Sequence, residues 1–147
     1  MKHHPVTVAL VRFGAWLHVA LYRLLRGNLP HRLLGEYTIL LTTTGRRSGK
    51  PRVTPLCFVR EGDDLFVIGS WGGSERHPHW YLNLRDNPRV RVEDHGRTLQ
   101  AVAMTIDDDA TYARIWQRFT AFYPTYELYR KRTNRRLPIV RLSPLSG

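Results

Sequence analysis

YTILLTTTGRRSGKPRVTPLCFVR, residues 37–60, is where the architecture of this chain first becomes legible. Tyr37 to Thr44 is rich in threonine and β-branched side chains, which suit a pleated, half-buried surface, and reads as a strand. Gly45 to Lys50 reads as a tight turn, and Pro51 to Arg60 as a second strand running back. Pro55 lies inside that strand and cannot donate to a ladder, which predicts an edge strand or a bulge. The turn gathers Arg46, Arg47, Lys50 and, just after it, Arg52 around Gly45 and Gly49. No carboxylate lies within it, so its charge needs a partner from elsewhere.

Outward from this hairpin the same signals recur. Glu61-Gly62-Asp63-Asp64 reads as a turn and residues 65–70 as a third strand. Residues 88–94 and 97–106 form a second hairpin around Asp94-His95-Gly96, and residues 137–142 form a last short strand. About six mostly antiparallel strands without βαβ alternation predict an α+β domain built on a small barrel, because closure removes open edges. Helices are expected between them. One spans 74–87 with Ser74 as its cap, one is opened by Asp107-Asp108-Asp109, and a further piece follows Pro124. Residues 6–26 carry helical periodicity, with Val6, Leu10, Phe13, Leu17, Leu21 and Leu24 on one face and Arg12, Tyr22, Arg23 and Arg26 opposite. The chain thus divides into an N-terminal amphipathic helix, 1–29, and a barrel domain, 30–147. The helix is expected to pack on that domain, with its basic edge available for peripheral contact with an anionic membrane surface.

The 147 residues suit one folded unit. With 23 Lys and Arg against 12 Asp and Glu, the net charge is +11, a field that attracts polyanions. Cys57 is the single cysteine, which excludes an internal disulfide and a cysteine-based metal cluster and suits a reducing cytoplasm. Arg12 and Arg23 interrupt an apolar run too short to cross a bilayer, and no small-residue cleavage site follows it. A cytoplasmic protein, in contact at most with the inner face of the membrane, is expected. His77 and His79 lack a third ligand in sequence, so no metal is expected.

Three groups of residues could carry chemistry. The GRRSGK turn is not a P-loop, since its glycines are one residue too close and Pro51 replaces the Ser/Thr. It is instead an anion cradle, with Thr44 and Ser48 adding hydroxyls. The second group is SWGGSERHPHWYLNL, 70–84, where a glycine-rich exit from a strand meets a helix start. The third is Tyr123, Tyr126 and Tyr129, whose spacing of three keeps them on one helix face, as the wall of a pocket for a flat molecule or as a cover for the barrel. Cys57, with no activating partner evident in sequence, reads as a packing residue.

These motifs resemble the deazaflavin-dependent nitroreductase family of actinobacterial proteins. The matching elements are residues 40–56, 70–90, YPTYELY at 123–129 and LPIV at 137–140. The resemblance implies a split β-barrel holding coenzyme F420, whose phosphate and oligoglutamate tail would meet the unpaired cations. It places Arg46, Arg47 and Ser48 near phosphate and tail. Arg52, Val53, Thr54, Pro55, Leu56 and Cys57 would follow the ring, with Ile68, Gly69, Ser70 and Trp71 bordering it. His79, Trp80, Tyr81, Leu82 and Asn83 would close the groove, while Tyr123, Tyr126 and Tyr129 would line the substrate pocket. Trp71 stands where relatives often carry a lysine. The implied activity is hydride transfer from reduced F420 to a small electron-poor acceptor, a quinone, enone or nitro compound. Tyr126, then Ser70, would donate to the developing oxyanion. An FMN-binding oxidoreductase and a basic nucleic-acid-binding barrel are the rivals. No nucleic acid is expected, because the basic turn lacks aromatic side chains. A monomer and a homodimer are both compatible with the sequence.

Overall fold

A computed structural model of the chain describes residues 38–146 together with 16, 17, 19–21, 23 and 24. The helix expected over 6–26 therefore falls largely outside the described residues. Those of its residues that are described are helical, and Arg23 forms a bidentate pair with Glu93 at 2.9 and 3.0 Å.

Seven strands form one antiparallel sheet: β1 Thr38–Thr44, β2 Pro51–Cys57, β3 Val59–Glu61, β4 Asp64–Ile68, β5 Arg89–Asp94, β6 Arg97–Thr105 and β7 Ile139–Pro144. Their order is β2-β1-β5-β6-β7-β4-β3. The two edge strands, β2 and β3, are consecutive in the chain and separated only by Phe58. One continuous segment can border both edges only if the sheet curls round on itself. This corrects the count of about six, because the run 51–60 is two strands. Phe58 is buried, and at that residue the chain leaves β1 and joins β4. Pro55 sits in edge strand β2, opposite Leu40 of β1, as its position in the sequence predicted.

Burial alternates as a two-faced sheet requires. On β4, Leu65 and Val67 enter one cluster with Ile39, Leu41, Val92, Val140 and Leu142. Phe66 and Ile68 enter a second with Ile115, Trp116 and Phe119. Those last three belong to α2, Asp109–Phe122, which covers the outer face. The cap of α2 is the expected aspartate run, Asp108 accepting from the Thr111 N–H at 2.9 Å. Helix α3, Thr125–Lys131, follows Pro124 as expected.

Helix α1 is shorter than expected, His79–Asp86. Proline disfavours helical geometry in the residue before it, so Pro78 excludes His77 from the helix and itself becomes the cap. Ser74 does not cap it; its hydroxyl accepts from the Arg76 N–H at 3.3 Å instead.

Candidate functional site: β2, the loop after β4 and Tyr123, Tyr126 and Tyr129

The GRRSGK turn is held by its own backbone and by α1. The Gly45 N–H donates to the Lys50 carbonyl and the Gly49 N–H to the Gly45 carbonyl, each at 2.8 Å. Gly49 has φ +68, a conformation that glycine adopts without strain. Asn83 of α1, almost fully buried, accepts from the Arg46 N–H at 3.2 Å and from Arg46 Nη1 at 3.0 Å. Its own Nδ2 donates to Thr43 Oγ1 at 3.3 Å. Arg46 Nη2 also approaches His79 Nδ1 at 3.4 Å. Arg46 therefore ties the turn to the helix. Ser48 Oγ accepts from the Lys50 N–H at 3.2 Å and lies 3.5 Å from Arg52 Nη2. Arg47 and Lys50 are exposed, and their side chains form no ion pair or hydrogen bond with any described residue.

Across from the turn, β4 gives way to residues 69–74. Ser70 is buried; Trp71 is half exposed at φ +42 and packs its ring 5.7 Å from that of His79. Gly73 is pressed against α3, where a Cβ would lie 2.5 Å from the Tyr129 carbonyl. Arg135 lies beneath this loop. Its Nε donates to the Ser74 carbonyl at 2.7 Å, Nη1 to that of Gly69 at 3.0 Å and Nη2 to that of Ser70 at 2.8 Å.

The tyrosines complete the enclosure. Tyr126 and Tyr129 share α3, whereas Tyr123, expected on the same helix face, ends α2 because Pro124 starts a new helix. The Tyr123 and Tyr126 rings lie 6.1 Å apart and those of Tyr126 and Tyr129 5.2 Å, all packed with Cys57 against the second core cluster. The Tyr126 hydroxyl lies close enough to Cys57 and Ser70 for both to influence its ionisation. Burial above all, then the neighbouring Cys57 and Tyr129, raises its pKa well beyond that of free phenol. It is a hydrogen-bond donor that stays protonated at neutral pH. Burial likewise raises the Cys57 thiol, against the pull of hydrogen bonds from Tyr126 and Tyr123. Cys57 thus has partners that sequence reasoning did not find.

These contacts form a closed chain: the turn to His79 through Arg46, His79 to Trp71, Ser70 to Tyr126, Tyr126 to Cys57, and back along β2. The half-buried residues of β2, from Val53 to Cys57, close this ring, and the ring bounds the candidate trough. Among the expected site residues, Trp80 and Tyr81 turn into the core with Leu84. Asn83 is buried behind the turn, Ile68 belongs to the second core cluster, and Gly69 packs on Pro138. Arg135 was missed by sequence reasoning; the only signal was the dense run RKRTNRR before the last strand.

A family model described as F420H(2)-dependent quinone reductase matches residues 15–144. An F420H(2)-dependent quinone reductase of Mycobacterium tuberculosis is 37% identical over 130 residues, covering 86% of this chain and 87% of the relative. The chain belongs to the F420H(2)-dependent quinone reductase family. A solved F420-H2 dependent reductase has a TM-score of 0.68 at 32% identity, covering 78% of this chain and all of its own. A second, described as a domain-swapped dimer, has a TM-score of 0.70 at 30% identity, covering 87% of this chain and 97% of its own. Membership makes the chain an oxidoreductase with F420 as its cofactor, and neither FMN nor nucleic acid is favoured. The donor set fits that coenzyme. Arg47 and Lys50, without a partner among the described residues, suit a phosphate and an acidic tail, and an edge strand offers unpaired backbone to a flat heterocycle. Among the described residues no group of His, Cys, Asp and Glu could hold a metal, and no helix is long and apolar enough to cross a membrane.

Proposed function

We propose that the trough is where the chain reduces a quinone, with F420 along β2, its acidic tail on Arg47, Lys50 and Arg52, and the quinone under Tyr123, Tyr126 and Tyr129. The curled sheet is then the body of a split barrel. The bound coenzyme supplies a hydride from its deazaflavin ring. Reduction of a quinone consumes that hydride and one proton, and negative charge develops on oxygen as the hydride arrives. Tyr126 Oη, held protonated by its surroundings, turns its one proton from Cys57 to that oxygen, and Ser70 orients Tyr126. Because the Tyr126 pKa lies so high, the hydroxyl stabilises charge without giving up its proton, which comes from solvent.

One observation carries the reading: the turn is anchored through Arg46 and Asn83, which leaves Arg47 and Lys50 unpaired beside the trough. Titration with oxidised F420 of short and long oligoglutamate tails tests it. Affinity should rise with tail length, and the gain should fade with added salt. Equal affinity for all tails would remove the anion from the turn.

Peripheral membrane contact through residues 6–26 is supported by the exposure of Trp16, Leu17 and Leu24 on that segment. Co-sedimentation with anionic vesicles, lost on deletion of residues 1–29, is the expected result; no binding to vesicles would end that idea.

A further inference from the structure

We propose that Arg135 is a positioning residue for this reaction: its guanidinium, backed by His77, holds residues 69–74 in the one shape that sets Ser70 against Tyr126. The proposal rests on the reading that the trough is the reaction site.

The loop does not impose this shape by itself. Trp71 has φ +42, where a side chain with a Cβ is strained, and Gly72 and Gly73 follow at φ +62 and +82. Two backbone bonds close the turn, Gly73 N–H to the Ser70 carbonyl at 2.9 Å and Ser74 N–H to the Trp71 carbonyl at 3.1 Å. Neither touches Gly69. The Arg135 guanidinium takes the carbonyls of Gly69, Ser70 and Ser74 at 3.0, 2.8 and 2.7 Å, spanning the loop from one end to the other. A planar fork with donors on three nitrogens can do this; a lysine ammonium is a single point and cannot reach all three in that geometry.

His77 completes the fork, with Arg135 Nη1 at 3.1 Å from its Nδ1. Arginine only donates, so Nδ1 must be the acceptor and the imidazole neutral with its proton on Nε2. The groups facing His77 agree. Arg135 lies on the segment before β7, Arg85 on α1, and the Tyr81 ring packs at 4.9 Å. Arg136 and Tyr112 line the same cavity of about 220 Å³. Burial first, then Arg135 and Arg85, lowers the His77 pKa below its ordinary value. Neutral His77 therefore persists at neutral pH. Below that lowered pKa a protonated Nδ1 would set donor against donor, and Arg135 would lose its partner.

Turnover of a soluble naphthoquinone with reduced F420, measured across pH, tests this on the full chain. Arg135→Met should lower kcat by about tenfold or more, since small displacements of an orienting group carry large rate costs. Arg135→Lys should recover only part of that loss. Oxidised F420 should lose far less affinity in both variants than kcat loses, since Arg47, Lys50 and Arg52 are untouched. In His77→Asn, whose amide oxygen can accept from Arg135 without titrating, the ratio of turnover at about pH 5.5 to that at about pH 7.5 should exceed the wild-type ratio. Wild-type kcat in Arg135→Met would overturn the proposal. If that variant does not fold, an unchanged pH ratio in folded His77→Asn overturns it instead. Wild-type protein that neither binds F420 nor turns over the quinone would sink the reading of the trough itself, a separate outcome.

Discussion

Two regions of this molecule are crowded with arginine, and they use it in opposite ways. At one end of the curled sheet, Glu61 receives Arg114 and Arg118, each at 2.8 Å, and those bonds hold its carboxyl below the ordinary carboxylate range. Beside it the buried Asp94 carboxylate receives Arg60 and, at 2.7 Å, His95. A cavity of about 330 Å³ opens there, larger than the one beside His77, yet its cations already face carboxylates. In the GRRSGK turn, Arg46 is satisfied by an amide and Arg47 and Lys50 by nothing among the described residues. A net charge of +11 is thus the sum of two populations. Paired cations hold elements together, whereas cations without a partner among the described residues are free to receive an anion. Pairing, more than cavity size, tells them apart.

The sharpest way to break this contrast is to reverse a charge in each region. Arg47→Glu exchanges attraction for repulsion. At about 1 kcal/mol per pair in water, the swing of about 2 kcal/mol weakens long-tailed F420 about thirtyfold. The thermal midpoint should stay put, as the side chain bonds to no described residue. Arg60→Ala should do the reverse. It leaves Asp94 to His95 alone and lowers stability by about 1–2 kcal/mol, moderated because Arg60 is itself partly exposed. F420 affinity should be untouched. Chemical denaturation and cofactor titration on both variants read the two effects separately. If Arg60→Ala weakened the cofactor or Arg47→Glu unfolded the chain, the division would fail.

Much of this was open to sequence reading where the deciding physics is local. Pro55 announced an edge strand, Asp94-His95-Gly96 a hairpin, the aspartate run a helix N-terminus, and the spacing of Tyr126 and Tyr129 a shared face, although Tyr123 falls on the end of α2 instead. The break at Phe58 was hidden, because nothing in VTPLCFVR tells that its two halves pair with β1 and β4 at opposite edges. The late start of α1 was within reach, since the residue before Pro78 is restricted by a local rule, but a serine at a capping position outweighed it. The site was half legible. Arg46 and Arg47 are neighbours with the same side chain, and only the position of Asn83 makes one an anchor and leaves the other unpaired. Arg135 acts on backbone carbonyls far away in sequence, and carbonyls carry no residue signature.

The smallest effect separates a tyrosine that shapes chemistry from one that merely covers the sheet. Tyr126→Phe removes a hydroxyl that sits beside Cys57 and Ser70 and changes little else in volume. If that hydroxyl donates to the quinone oxygen, kcat should fall about tenfold, the worth of one hydrogen bond to developing charge, with F420 affinity preserved. Its raised pKa adds a sign: wild-type kcat should show no alkaline limb from Tyr126 up to about pH 10, because the hydroxyl does not ionise there. Cys57 supplies an independent gauge, as the only cysteine in the chain. Hydrogen bonds from Tyr126 and Tyr123 favour its thiolate against burial, so losing one raises the thiol pKa further. Alkylation at mildly alkaline pH should therefore slow in Tyr126→Phe. A variant with slower alkylation and wild-type kcat would keep the hydrogen bond and strip Tyr126 of its part in the reaction, leaving it among the residues that only hold α3 on the sheet.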